Sequence, residues 1–219
     1  MIAGVVFDMD GVIVDTEQVW DEVREKLVAD WGGRYSAESQ RAMMGMSSGE
    51  WSRYMHIELG LTQTPEEIND EVVVRMLQRY RVELPLIDGA VDAVRELSRS
   101  FPLAVASSSN RPLINAVLDT AGITDCFAAT VSSEEVARGK PSPDVYLEAA
   151  RRLDVAPSAC IAVEDSANGI RAAAAAGMHV IAFPNRHYAP DAEALALAHT
   201  VIDSLAGLVV TLGGTQERG

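Results

Sequence analysis

The sequence predicts an α/β protein in which a doubly wound parallel sheet is interrupted, after its first strand, by an all-helical insert. Three observations predict it. Short, near-continuously apolar runs recur along the chain, as expected of parallel strands covered on both faces. Helical segments lie between those runs, and βα alternation folds into an open sheet with helices on either side. From residue 16 to about residue 86 the alternation stops and only helical periodicity remains. The expected core is therefore Rossmann-like.

The first strand candidate is the apolar run at residues 2–7. The insert follows, with Trp20, Val23, Leu27 and Trp31 at helical spacing, then a stretch over 65–84 with Ile68, Val72, Met76, Leu77 and Tyr80 on one side. Pro85 and the Asp88-Gly89 turn mark the return to the sheet. Further strands are expected at 103–106, 128–131, 161–163 and 179–183, with a weaker sixth at 200–202. Helices fit between them at 89–98, 111–121, 143–153 and 166–176. The third of these has a clear start, Ser142 as N-cap, Pro143 at N1 and Asp144 in the first turn. Gly177 closes the Ala-rich fourth in the C′ position. The division is thus core at 1–15 and 87–213, insert at 16–86, and a frayed tail at 214–219.

The 219 residues suffice for one domain with an insert. A formal net charge of −14 argues against nucleic-acid or anionic-membrane partners, which need basic patches, and otherwise serves solubility. An anionic substrate would then need a local cationic pocket. The apolar runs are too short for a membrane span, and the first strand candidate starts directly after Met1, so a cytoplasmic location is expected. Two cysteines, Cys126 and Cys160, make no disulfide framework or zinc pattern. Oligomeric state is not encoded legibly.

In an open parallel sheet, ligands sit at the carboxyl ends of the strands, so the polar residues that follow each strand candidate matter most. Asp8 and Asp10 follow the first. Two carboxylates that close to an apolar core repel each other and resist ionisation, which a divalent cation or a shared proton offsets; an ordinary Asp-Gly turn is the other reading. Ser107 and Ser108 follow the second strand, as anion donors ahead of a helix or as a plain Ser-rich loop. Lys140, one of only two lysines, lies between Gly139 and Pro141 and reads as a fixed cation or as a loop lysine. Glu164 and Asp165 follow the fourth strand, either completing an oxygen shell for Mg²⁺ or favouring the first turn of a helix. Jointly they describe a phosphoryl-transfer site: a metal, a nucleophile, a second acid, hydroxyl donors and a cation.

These residues resemble, in order and across nearly the whole chain, the four motifs of the haloacid dehalogenase superfamily: Asp8-Met9-Asp10-Gly11-Val12, Ser107, Lys140 and Val163-Glu164-Asp165-Ser166. The insert resembles the helical cap of one subgroup. The resemblance implies that Asp8 is the nucleophile and forms an aspartyl-phosphate, and that Asp10 is general acid and then base. It further implies that Asp8, the Asp10 backbone carbonyl and Asp165 hold Mg²⁺, with Glu164 ligating directly or through water, and that Ser107 and Lys140 grip the phosphoryl oxygens. Asp10 would begin protonated, off the metal and in a drier site.

Within the superfamily, Asp10 weighs against dehalogenases, whose halide leaving group needs no proton. Lys26 is the only cap lysine available for the Schiff base of phosphonatases. β-Phosphoglucomutases carry a His where Trp20 stands, and a cap Arg after a turn matching Gly45-Met46-Ser47, where this chain has none; Arg53 is out of register. The expected function is therefore a Mg²⁺-dependent phosphatase acting on a small phosphorylated metabolite such as a sugar phosphate, with the phosphomutase as alternative. A phospho-accepting receiver domain is less favoured because of the insert and the Asp-x-Asp pattern. Gly45, Met46, Ser47 and Trp20 are the expected substrate-facing cap residues; an interhelical turn and cap–core packing are the other readings.

Overall fold

The computed structural model describes residues 2–43, 46–185 and 189–216, with backbone alone at 213–216. Six strands form one parallel sheet: β1 (Gly4–Phe7), β2 (Leu103–Ser107), β3 (Ala129–Ser132), β4 (Cys160–Glu164), β5 (His179–Ala182) and β6 (Thr200–Val201). Their order is β3-β2-β1-β4-β5-β6. The chain builds outward from β1 through β2 to β3, then crosses back to β4, so the direction of winding reverses beside β1, where a crevice opens at the strand ends. Register aligns Phe7 with Val105 and Val163, which brings Asp8, Ser107 and Glu164 to one rim.

Side chains alternate between two apolar layers, as the two-residue strand period requires. Val5, Phe7, Leu103, Val105, Ile161, Val163 and Ile181 face one layer. Val6, Ala104, Ala106, Val131, Ala162, Val180 and Ala182 face the other. The second layer is rich in alanine, so α7 (Asp144–Leu153) and α8 (Ala167–Ala175) lie against the sheet through Ala149, Ala150, Ala172 and Ala173. The first layer is covered by α5 (Ala90–Leu97), α6 (Arg111–Ala121) and α10 (Leu205–Gln216). The remaining helix, α9 (Ala192–Leu195), precedes β6.

Between residues 16 and 86 the described chain forms four helices: α1 (Glu17–Asp30), α2 (Ala37–Met43), α3 (Ser48–Ile57) and α4 (Pro65–Val82). The inner face of α4 is Ile68, Val72, Met76 and Tyr80, and its start is a Thr64–Glu67 capping box with Pro65 at the first position. Outgoing and returning segments run side by side: the Asp15 N–H donates to the Pro85 carbonyl at 2.8 Å, and that of Ile87 to Ile13 at 3.0 Å.

Two boundaries differ from expectation. Helix α7 starts at Asp144 with Pro143, not Ser142, as its cap residue, because Ser142 is drawn into a turn that closes on the Gly139 carbonyl. Helix α10 continues to Gln216, into the stretch expected to fray, since buried Leu205, Leu208 and Leu212 anchor it on the core. Residues 217–219 lie outside the described residues.

Candidate active site

Asp8 leaves the end of β1 with its backbone N–H bonded to the Val163 carbonyl of β4, so its carboxyl stands over the switch point. Lys140, on the loop before α7, reaches in from the alanine-rich side. Its ammonium donates to Asp8 Oδ1 at 2.8 Å and to Glu164 Oε1 at 2.5 Å, with all three side chains buried. Tyr146, one turn into α7, donates to the same Glu164 oxygen at 2.7 Å and sets its ring beneath the ammonium. Glu164 Oε2 accepts from the backbone N–H of Asp165 and Ser166 and from the Ser166 hydroxyl. Both Glu164 oxygens are therefore saturated. Those bonds hold Lys140 and the turn into α8 in place.

Asp8, Glu164 and Asp165 offer carboxylate oxygens within 4.8 Å of one another, and Asp165 Oδ1 is buried without a hydrogen-bond partner. Three buried carboxyls face one ammonium. Burial, with Glu164 next in weight, pushes the Asp8 pKa up to about 8 against the pull of Lys140. Burial and the neighbouring Glu164 and Asp8 likewise raise that of Asp165 well above its ordinary value. Burial alone would lower the Lys140 pKa, but Asp8 and Glu164 more than offset it and hold the ammonium charged. The site thus lacks positive charge, and hard oxygen donors of this kind suit a divalent cation such as Mg²⁺.

Asp10 is half-buried and accepts from four side chains. Thr16 donates to Oδ1 at 2.5 Å and the Trp20 indole at 3.2 Å; Ser109 donates to Oδ2 at 2.7 Å and Ser107 at 3.4 Å. Gly11 follows with φ +89°, and a Cβ on it would lie 1.9 Å from Asp165 Oδ2. The absence of a side chain there lets the β1 loop and Asp165 meet.

A cavity of about 520 Å³ opens between the strand ends and the helical insert, a size suited to a small metabolite. Asp8, Asp10, Lys140 and Asp165 line it with Ser108, Trp20 and Met46. Ser107 does not: its buried hydroxyl accepts from the Ser109 N–H behind the rim, and Ser108 and Ser109 take the cavity-lining positions expected of it. Ser47 does not line the cavity either. Its N–H and hydroxyl both donate to Glu50 at the start of α3, and it packs against Gly139. Gly45 lies outside the described residues. Trp20 both packs on Trp51, with ring centroids 6.0 Å apart, and bonds Asp10.

Several participants escaped the sequence reading: Thr16, Ser109, Tyr146, Glu17, Arg24 and Trp51. Thr16 closes the segment that begins at Asp8, and Arg24 is one turn beyond Trp20 on the inward face, a usable signal. Nothing in the sequence ties Tyr146 to Glu164. Glu17 lines the cavity, and burial, reinforced by Asp10, pushes its pKa up to about 7 despite Arg24. Insert and core are also joined by Asn110, which donates to Asn69 of α4 at 2.9 Å and to Glu134 at 2.6 Å.

Comparison with known proteins agrees with this geometry. A family model described as haloacid dehalogenase-like hydrolase matches residues 2–177. A bifunctional riboflavin kinase/FMN phosphatase of Arabidopsis thaliana is 32% identical over 83% of this chain, which spans only 48% of that longer protein. Hexitol phosphatase B of Escherichia coli O157:H7 is 32% identical over 94% of both chains. The crystal structure of CbbY from Rhodobacter sphaeroides in complex with phosphate superposes with a TM-score of 0.83 at 29% identity, covering 95% of this chain and 96% of that one. No helix among the described residues is long and apolar enough to cross a membrane.

Proposed function

Because the chain belongs to the haloacid dehalogenase-like hydrolases, we propose that it is a Mg²⁺-dependent phosphatase that hydrolyses a small phosphorylated metabolite, a sugar phosphate or a relative of one, through an aspartyl-phosphate on Asp8. The observation that carries this reading is the Asp8–Lys140–Glu164 contact beside the unpartnered Asp165 oxygen, at the floor of one cavity. The helical insert acts as the cap over that cavity.

Asp8, Asp165 and the Asp10 backbone carbonyl would hold the cation, which supplies charge neutralisation at the phosphoryl oxygens. Asp8 attacks phosphorus with its free carboxylate oxygen. Lys140, fixed by Glu164 and Tyr146, neutralises the repulsion between that carboxylate and the ester. Ser108 and its neighbours offer donors to the equatorial oxygens. Asp10 protonates the leaving oxygen and then accepts a proton from the attacking water. To do so it must exchange at least one of its four donors for the substrate oxygen, so binding and acid catalysis are linked through Thr16, Trp20 and Ser109.

The phosphomutase remains a second reading for one reason. Trp20 bonds Asp10 from the position where a His would stand in that branch, and a base held away from water prolongs a phosphoenzyme. The test is a panel of phosphate esters assayed with Mg²⁺, including β-glucose 1-phosphate with a bisphosphate primer. Free phosphate from sugar phosphates is expected; conversion to glucose 6-phosphate without free phosphate selects the mutase, and no turnover of any ester removes the enzyme reading.

Two further outcomes follow from the acid cluster. The folded Asp8 binds its proton up to a pH of about 8, whereas an unfolded chain releases it near 3.8. Between those values the folded state holds more protons, so stability falls as pH rises. The melting temperature in EDTA should drop from pH 5 to pH 8. Mg²⁺ binds the ionised form, so the difference between Mg²⁺ and EDTA should widen with pH; a difference independent of pH would contradict a metal at Asp8. Gly11→Ala forces Asp165 aside and should raise the Mg²⁺ concentration for half-maximal activity by about 10–100-fold, the cost typical of disturbed ligand support. Mg²⁺ titration of the variant checks this.

A further inference from the structure

We propose that Arg24 is a specificity residue that binds a second oxyanion of the substrate, so that the esters this chain prefers carry a carboxylate or a further phosphate besides the transferring group. The inference rests on the phosphatase reading and names its substrate class.

Arg24 projects from α1 into the cavity that holds Asp8 and Asp10, yet only 9% of the residue is exposed. Its guanidinium carbon sits 4.7 Å from the Trp20 ring centroid and 5.0 Å from that of Trp51. Its Nε is buried without a hydrogen-bond partner. A guanidinium keeps its charge when desolvated. Contact with aromatic rings returns about 2 kcal/mol, less than the several kcal/mol that burying an ion costs. The nearby acids do not close the gap: Asp21 accepts the Tyr35 hydroxyl at 2.5 Å, Asp10 is surrounded by its own four donors, and Glu17, the acid that weighs most on Arg24, is itself pushed up to a pKa of about 7 by burial and makes no ion pair with it. An oxyanion entering the cavity would supply the missing partner.

The shape fits that role. Contact with two indoles restricts the guanidinium in advance, and a rigid fork of N–H groups matches carboxylate or phosphate oxygens bidentately. Trp20 also sets the distance, since its indole N–H bonds Asp10 while its ring contacts Arg24. One indole separates the acid–base carboxylate from the cation, a span that a small phosphorylated acid or sugar bisphosphate covers. A packing role alone would be served by a Leu or Met at this position without the cost of a buried charge.

The test compares kcat/KM for 3-phosphoglycerate, fructose 1,6-bisphosphate and glucose 6-phosphate, which carry a carboxylate, a second phosphate and neither. Wild-type protein should favour one of the first two by at least about tenfold, and the one favoured identifies the oxyanion. Arg24→Met should erase that preference by raising KM about 10–100-fold for the favoured ester, the loss expected of a charged hydrogen-bonded contact. Arg24→Lys, which keeps the charge and loses the fork, should recover part of it. Absence of a preference in the wild type, or an equal fall for all three esters in a folded variant, overturns the proposal. Direct binding separates it from the phosphatase reading. Saturable quenching of tryptophan fluorescence by the favoured acid or bisphosphate, lost in Arg24→Met, supports the site even if nothing is hydrolysed, and no quenching by either counts against it.

Discussion

Asp8→Asn should abolish phosphate release, lowering kcat by at least about 10⁴-fold, as removal of a nucleophile that works with a positioned partner does. The substitution keeps the shape of the side chain and removes only its capacity to attack and to carry charge. It should also spare the fold. The Asp8 carboxyl resists ionisation in its buried site, with a pKa pushed up to about 8, so a neutral amide there removes a cost that the wild type bears at neutral pH. In EDTA at pH 8 the variant should melt no lower than the wild type, and with Mg²⁺ it should turn over no ester and form no acid-stable phosphoenzyme. Phosphate release at a wild-type rate from Asp8→Asn would end the aspartyl-phosphate reading.

Lys140→Met should damage both activity and stability. The ammonium is the one cation touching Asp8 and Glu164 among the described residues, and its removal leaves two buried carboxyls facing each other. Breaking a buried pair in this way costs about 3–5 kcal/mol, which for a chain of this size lowers the melting temperature by roughly 10 °C. Without the ammonium Asp8 holds its proton to still higher pH, so the deficit should grow as pH rises through about 8 and beyond. Loss of its charge beside the phosphoryl oxygens should lower kcat a further ~10²–10³-fold. Adding Glu164→Gln to Lys140→Met should restore much of the stability and none of the activity. A single variant as stable as wild type at pH 8 would show that Lys140 is not the partner the two acids depend on.

The parts of this architecture that local chemistry controls were legible before folding. The run ending at Phe7 places Asp8 at a strand terminus by covalent connection alone, and the same holds for Glu164 as the last residue of β4. The helical stripe of α4 and its capping box follow from residue spacing. Three adjacent serines show where legibility stops. All three carry the same hydroxyl, and only the path of the chain at the end of β2 turns Ser107 away from the cavity and Ser108 and Ser109 towards it. Ser47 failed for a related reason: the start of a helix claimed its hydrogen bonds before a ligand could. Glu164 was placed correctly on the rim, but its neighbours, and with them its task of holding Lys140, come from α7 and the turn into α8.

The sequence alone determined the order of the elements, the position of the helical insert and the identity of four acids at the strand ends and a lysine in a loop, because strand and helix periods and strand-end polarity are properties of neighbours along the chain. Tertiary structure alone decided which of those groups became partners, that Trp20 would serve Asp10 and Arg24 at once, and that Arg24 would be buried against two indoles. These depend on how the insert docks over the strand ends. Desolvation and contact between groups remote in sequence exist only after that docking, and they set which charges are satisfied and which remain open to a substrate.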